Sequence, residues 1–311
     1  MIIDIPDTTV SQVGKQLVKV REEGGAVALG RVLTLIIAAR KGVAEAAIEA
    51  ANDASREHPM RVIVLTAGEG ESRLDAQIRV GGDAGASEVV VLRAYGDAAS
   101  NAESLVTGLL LPDAPVVVWW PDEAPTDAAE SPLGRIAQRR ITDAATTPDV
   151  RDRLSLLGKT HAPGDTDLAW TRLTHWREQL AAVLDQPPFE EVTSAEVRGA
   201  AASPSTALLA AWLQMALQVR VTWSYEDPSE WQEGIKSVRL SRASGDILLE
   251  RPSPTVAVLT QPGQPDHELH LPRRTLRECL AEELRRLDAD LLYGRVITDG
   301  WSRLGPPEQR V

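Results

Sequence analysis

Few residues in this chain have a clear claim to chemistry, and they are scattered. Gly158-Lys159-Thr160 spells the end of a phosphate-binding loop. Such a loop needs a glycine five residues before its last Gly, so that bare backbone can wrap the phosphate. Arg153 stands there, inside RDRLSLL, a run patterned as a helix. Gly81-Gly82-Asp83-Ala84-Gly85 lacks the glycine order of a dinucleotide fingerprint and reads as a turn. His161, Asp165 and Asp167 offer ligand atoms, but their spacing matches no metal motif, and turn chemistry accounts for Pro163-Gly164-Asp165. His267 and His270 fall on opposite faces of a strand. No G-x-S-x-G elbow is present. The single cysteine, Cys279, lies beside Leu276 and Leu280 on the apolar side of a helical pattern, where a thiol acts as a small hydrophobe. These readings predict no catalytic residue, no metal ligand and no cofactor.

Two arginine clusters remain. Arg135, Arg139 and Arg140 precede ITDA, with Asp143 close by; Arg273 and Arg274 lead to Arg277. A structural ion pair such as Arg140 with Asp143 is the plain reading. Gripping a small phosphorylated molecule, or an acidic patch of a protein, is the sharper one, because guanidinium forks fit phosphate and carboxylate. A second candidate is aromatic. In VVVWWP, Trp119 and Trp120 close an apolar run just before Pro121, Asp122 and Glu123. Adjacent strand residues face opposite ways. Either layers cover both faces of the strand, or one indole is kept at the surface as an anchor for a partner.

Alternating strand and helix patterns frame these residues. Helices are predicted over Val10–Val20, capped by Thr9 and ended by Gly24-Gly25, over Gly42–Glu57 and over Ala98–Leu109. Ser131-Pro132 starts a helix running to about Arg139, and Thr147-Pro148 starts another over Val150–Leu157. Strands are predicted at Val32–Ile37, Arg61–Thr66, Arg73–Val80, Glu88–Leu92 and Val116–Trp120; the third alternates strictly, as a half-buried or edge strand does. Residues 170–185 form an amphipathic helix, and the polar stretch from Asp185 to Ala200 is the expected joint. Ser203-Pro204 opens a helix presenting Leu208, Leu209, Trp212, Leu213 and Ala216 to a core. Strands follow at Ile235–Leu240, Ile247–Glu250, Thr255–Leu259 and Leu269–Leu271, with a hairpin at Gly245-Asp246, then a helix over Thr275–Leu287. The expected fold is an α/β N-terminal domain, 1–185, whose mixed, mainly parallel sheet is covered by helices, and a smaller α+β domain, 186–311.

The 311 residues carry 33 Lys and Arg against 45 Asp and Glu, a formal net charge of −12. That balance repels nucleic acid and anionic lipid, so neither is an expected partner. No stretch has the pattern of a signal peptide or a membrane span, and one cysteine permits no intrachain disulfide. A reducing cytoplasm is the expected compartment.

Four segments, SREHPMRVIVL, LLLPDAPVVVWWPDEAP, RRITDAA and GDTDLAWTRLTHWREQLAA, resemble the OpcA family of glucose-6-phosphate dehydrogenase assembly proteins in its actinobacterial form. SVRLSR and LPRRTLRECLAEELRRLDADLLYGRVI are similar too, so the resemblance spans nearly the whole chain. It implies a non-catalytic cytoplasmic protein whose partner is glucose-6-phosphate dehydrogenase in the pentose phosphate pathway. The family's motif residues fall on Arg56, His58, Pro59, Arg61, Pro121, Arg140, Asp143, Asp167, Trp170 and Trp176. Photosynthetic relatives are linked to redox control; with Cys279 alone, this chain has no internal dithiol switch. The competing readings are a sugar-phosphate or nucleotide sensor or enzyme built on the arginine clusters, and a general protein scaffold.

Overall fold

The computed structural model describes residues 1–23, 31–81, 88–201 and 203–308. Gly24, Gly25, Gly82 and Gly85, assigned above to a helix end and a turn, lie outside them. Two compact units share the chain. Unit 1 comprises Met1–Thr146, Gly164–Thr166 and Leu276–Ala289; unit 2 comprises Thr147–Pro163, Asp167–Thr275 and Asp290–Val311. The units interleave in sequence, which a single division after residue 185 does not describe.

Unit 1 is built on an eight-stranded sheet. Its strands are β1 (Ile2–Ile5), β2 (Leu33–Ala38), β3 (Met60–Gly68), β4 (Arg73–Arg79), β5 (Glu88–Tyr95), β6 (Val116–Trp119), β7 (Arg139–Thr142) and β8 (Asp165–Asp167), in spatial order β1-β4-β5-β3-β2-β6-β7-β8. From β5 to β7 all pairings are parallel; β4 runs antiparallel to both β5 and β1. The sheet is therefore mixed and mainly parallel, as expected. The strict alternation of β4 does mark a half-buried strand, with Leu74, Ala76 and Ile78 inward. The edge itself is β1, a strand that four residues of IIDI did not announce.

Helices α1 (Val10–Glu23) and α3 (Ala102–Thr107) and the short α4 (Pro132–Arg135) pack on one face, where Val13, Leu17, Val106 and Leu133 join Ile36, Ile63, Val90, Val118 and Trp120 in one core. The alternate strand residues Leu35, Ile37, Val62, Val64, Val117 and Trp119 are buried on the opposite face. Helix α2 (Lys41–Ala54) packs on β3 and on α9 (Leu276–Arg285). Three expectations are corrected here. The helix begun by Ser131-Pro132 ends at Arg135, because Arg139–Thr142 has a parallel neighbour in β6 and becomes strand. The helix predicted over Ala98–Leu109 divides into a 3-10 turn, Gly96–Ser100, and α3, whose cap is Asn101. Helix α9 completes the α/β unit rather than the second one.

Unit 2 holds α5 (Val150–Thr160), α6 (Leu168–Thr171), α7 (Thr174–Leu184), α8 (Pro204–Leu217), α10 (Leu291–Arg295) and α11 (Trp301–Arg303), with a π turn, Val296–Gly300, joining the last two. Its sheet has six strands, β9 (Ser194–Gly199), β10 (Arg220–Tyr225), β11 (Ile235–Ser241), β12 (Ile247–Glu250), β13 (Val256–Thr260) and β14 (His267–His270), in order β10-β9-β11-β12-β13-β14. The β11–β12 hairpin forms at Gly245, whose φ of +124° suits glycine. The polar joint expected from Asp185 to Ala200 contains β9, a central strand with polar residues on one face only, and β10 runs parallel to it. Asp149 caps α5, in place of the Thr147-Pro148 pair. Ala216 is exposed rather than core-facing, because α8 is buried on all sides only in its first two turns. The Gly158-Lys159-Thr160 triplet forms the last turn of α5, with Gly158 tight against the Ile297 carbonyl.

Candidate functional site

In parallel sheets ligands gather beyond the carboxyl ends of the strands, where the strand order reverses direction. In unit 1 that point lies between β2 and β6: the chain runs outward through β3 and β5 on one side of β2, then through β6 and β7 on the other. A cleft of about 350 Å³ opens there. Ala38, Ala67, Ala94, Ala99 and Ala102 line much of it, with Trp120 among its walls. Small side chains leave space at the sheet's end that larger ones would fill.

The turn from β2 into α2 carries no glycine. Arg40 occupies its end, in the N-cap position of α2. The backbone N–H and Nε of Arg40 both donate to Asp122 Oδ2, at 3.2 and 2.8 Å. Asp122 is nearly buried, and Glu123, well exposed, stands 3.2 Å from Arg40 Nη1. The hydrogen bond to Asp122 and the charges of Glu123 and Asp122 hold the Arg40 guanidinium above its ordinary pKa. A helix N-terminus at such a turn is where a phosphate would sit. Here the chain's own carboxylate stands at that end of α2, and an arginine fills the turn.

Both tryptophans are core residues. Trp119 is fully buried on one face of the sheet and Trp120 is 5% exposed on the other. The free chain therefore presents neither as an exposed anchor, because both faces of β6 are buried; Trp120 lines the cleft. The remaining motif residues do not converge. Arg61 donates to Glu88 through Nε and Nη2, at 3.3 and 3.1 Å, and to the Leu109 carbonyl. Arg139 pairs with Glu283, and Arg140 with Asp165; all four side chains are largely buried. Asp143 accepts from the Ala145 N–H, closing the turn after β7. Asp167 caps α6 through the Ala169 N–H. Trp170 donates to Asp290 at 2.8 Å beneath the Arg177 guanidinium, and Trp176 is buried with Arg251 over its ring. Arg56 is exposed beside Asp53, and the ring of His58 is only partly exposed. Of the second cluster, Arg273 pairs with Glu233, Arg274 donates to the Thr171 carbonyl and Arg277 stands 3.6 Å from Asp53. The ring of His161 packs edge-on against Tyr293. Among the described residues, no three His, Cys, Asp or Glu side chains are placed to hold a metal ion, and no helix is long and apolar enough to cross a membrane.

Sequence reasoning missed Arg40 as a cleft residue. Its role depends on β2 and β6 being neighbours, since 82 residues separate Arg40 from Asp122.

Two family models match the chain. The glucose-6-phosphate dehydrogenase subunit N-terminal domain covers residues 51–159, and the corresponding C-terminal domain covers 163–297. The chain belongs to the OpcA family. No curated protein matches it in sequence. Among solved structures, this OpcA-family chain has 10% identity to an oxidoreductase from Sinorhizobium meliloti, with 85% of this chain and 86% of that one covered and a TM-score of 0.44. An oxidoreductase from Pseudomonas syringae has 11% identity over 88% and 91%, with a TM-score of 0.42. UDP-N-acetylglucosamine 3-dehydrogenase GnnA from Acidithiobacillus ferrooxidans has 9% identity over 87% and 96%, with a TM-score of 0.36. Scores this low carry no argument about activity.

Proposed function

We propose that this OpcA-family chain is a non-catalytic assembly factor and activator of glucose-6-phosphate dehydrogenase in the cytoplasmic pentose phosphate pathway. One observation carries the non-catalytic part. At the switch-point cleft, Asp122 accepts from the N–H and the guanidinium of Arg40 just before α2, and an arginine stands in the turn where a phosphate-binding loop carries glycine. What remains is an apolar cleft with a charged rim, suited to a side chain of a protein partner. Arg40 and Glu123 supply the exposed part of that rim, and Trp120 the aromatic wall. The family membership names the partner, and the commitment of Arg139 and Arg140 to Glu283 and Asp165 argues against those arginines as a phosphate grip.

The test is co-purification of the full chain with untagged glucose-6-phosphate dehydrogenase from the same cell, together with titration of the enzyme's activity. A stable complex and a saturable rise in activity are expected. Replacing both rim residues, Arg40→Ala with Glu123→Ala, should weaken the complex at least tenfold with the fold intact by circular dichroism. Binding to unrelated proteins but not to the dehydrogenase would establish a general scaffold instead.

A further inference from the structure

A second cleft, in unit 2, has the opposite electrostatic character. It encloses about 720 Å³ between the end of α8, the start of β10 and the helix running from α10 to α11. Arg220, Arg295 and Arg303 line it, and all three are exposed. Many arginines among the described residues have a carboxylate within salt-bridge distance; two of these three do not. Among the described residues, Arg295 and Arg303 make no ion pair, and Arg220 has only Glu308, at 3.9 Å and itself exposed. Exposed pairs at such distances contribute little. Asp299 is the one acidic residue in the lining, so the cleft holds a surplus of positive charge on a chain whose net charge is −12.

The backbone arranges this convergence. In an unbroken α-helix, Arg295 and Arg303 would stand about 80° apart around the axis. The Trp301 N–H instead bonds to the Val296 carbonyl, five residues back, and that extra residue brings the two arginines to within about 20° of one face. The π turn is seated against α8: a Cβ on Gly300 would lie 3.2 Å from the Ala211 carbonyl oxygen. Gln214 Nε2 donates to the Arg303 carbonyl at 3.0 Å and ties the end of the helix to α8. Gln218, left-handed at φ 56°, ends α8 and turns the chain toward Arg220.

We infer that this cleft binds a phosphorylated polyol of the size of a hexose phosphate. Guanidinium forks match phosphate oxygens two at a time, and three forks around one cavity suit a dianion better than a single carboxylate. Gln218 and, through the amide oxygen left over from its bond to Arg303, Gln214 add polar groups to the same lining, as partners for hydroxyls. This inference does not rest on the dehydrogenase partnership, and the experiment uses the full chain alone. Isothermal titration at low salt with glucose 6-phosphate should show saturable heat at one site per chain. Inorganic phosphate should bind more weakly and glucose not at all. Raising the salt should weaken binding, and Arg295→Ala with Arg303→Ala should weaken it at least tenfold while the melting curve stays unchanged, since both side chains are exposed. Arg285→Ala, an exposed arginine paired with Glu57 in unit 1, should leave it as it was. No saturable heat at millimolar sugar phosphate, or heat that the double substitution does not reduce, would overturn the inference. So would loss of dehydrogenase binding in the double variant without sugar-phosphate heat in the parent, which would make the cluster a reader of protein carboxylates.

Discussion

In unit 1 the cleft beyond β2 and β6 holds an arginine whose charge is matched before any ligand arrives: Arg40 has Asp122 at 2.8 Å and Glu123 at 3.2 Å. In unit 2 the cleft beside α8 holds three guanidiniums, of which two make no ion pair among the described residues. The first occupies the place where parallel sheets gather ligands; the second lies where a helix irregularity happens to gather charge. A fold can keep the geometry of a binding position while its side chains close it, and can acquire recognition chemistry elsewhere.

The largest test of this contrast is mechanical. If the unit 1 cleft is an extension of the core, Trp120→Ala should cost about 3–5 kcal/mol in chemical denaturation. Arg295→Ala and Arg303→Ala should each stay within about 0.5 kcal/mol, as exposed positions do. A Trp120 variant as stable as the parent would make the indole a surface element and erase the distinction.

A smaller effect separates internally matched charge from available charge within unit 2. Glu226 follows β10 immediately, and its buried carboxylate receives Arg198 at 2.6 Å and Lys236 at 3.2 Å. Burial pushes its pKa up, but the hydrogen bonds and charges of Lys236 and Arg198 outweigh this and hold it below the ordinary 4.5. A carboxyl lowered by folding stabilises the native state above its unfolded value, and that contribution is lost as pH falls below 4.5 through the folded value. Glu226→Gln should cost about 2 kcal/mol at pH 7, less than a fully enclosed pair because both cations reach water. Its stability should also fall less than the parent's between pH 7 and acid, measured by urea melts across pH. An unchanged acid limb would remove Glu226 from the account.

The smallest effect sharpens the comparison most directly. Asp122→Asn should lower the melting temperature slightly and open the start of α2 to anions. Phosphate should then perturb amide resonances of Lys41 and Gly42 in the variant and not in the parent. If neither protein responds, Arg40 rather than Asp122 closes the site.

Much of unit 1 was legible because buried parallel strands carry near-continuous apolar runs: LTLIIA, RVIVL and EVVVL need no partner to be recognised. Cys279 as a buried group on the inner side of its helix was legible for a similar reason, since periodicity alone places it. The strands that were missed take their identity from neighbours. Arg139–Thr142 reads as the end of a helix and the turn after it until β6 pairs with it, and Ser194–Gly199 reads as a linker because its outward residues are polar. The ion pairs were half legible: Arg140 reads as a pairing residue, but its buried partner Asp165 lies 25 residues away, where no local spacing announces it. Neither cleft was legible. One needs the order of strands, and the other needs a π turn that no local pattern signals.

The late position of α9 has a consequence for how the protein comes into being. Arg139 enters β7 as a buried cation, and its partner Glu283 lies 144 residues further along. A nascent chain that has emerged only as far as residue 275 carries every strand of the eight-stranded sheet and lacks the helix that neutralises it. The sheet of unit 1 is therefore electrostatically complete only once Leu276–Arg285 has been made, and deleting α9 would leave Arg139 a buried cation without Glu283.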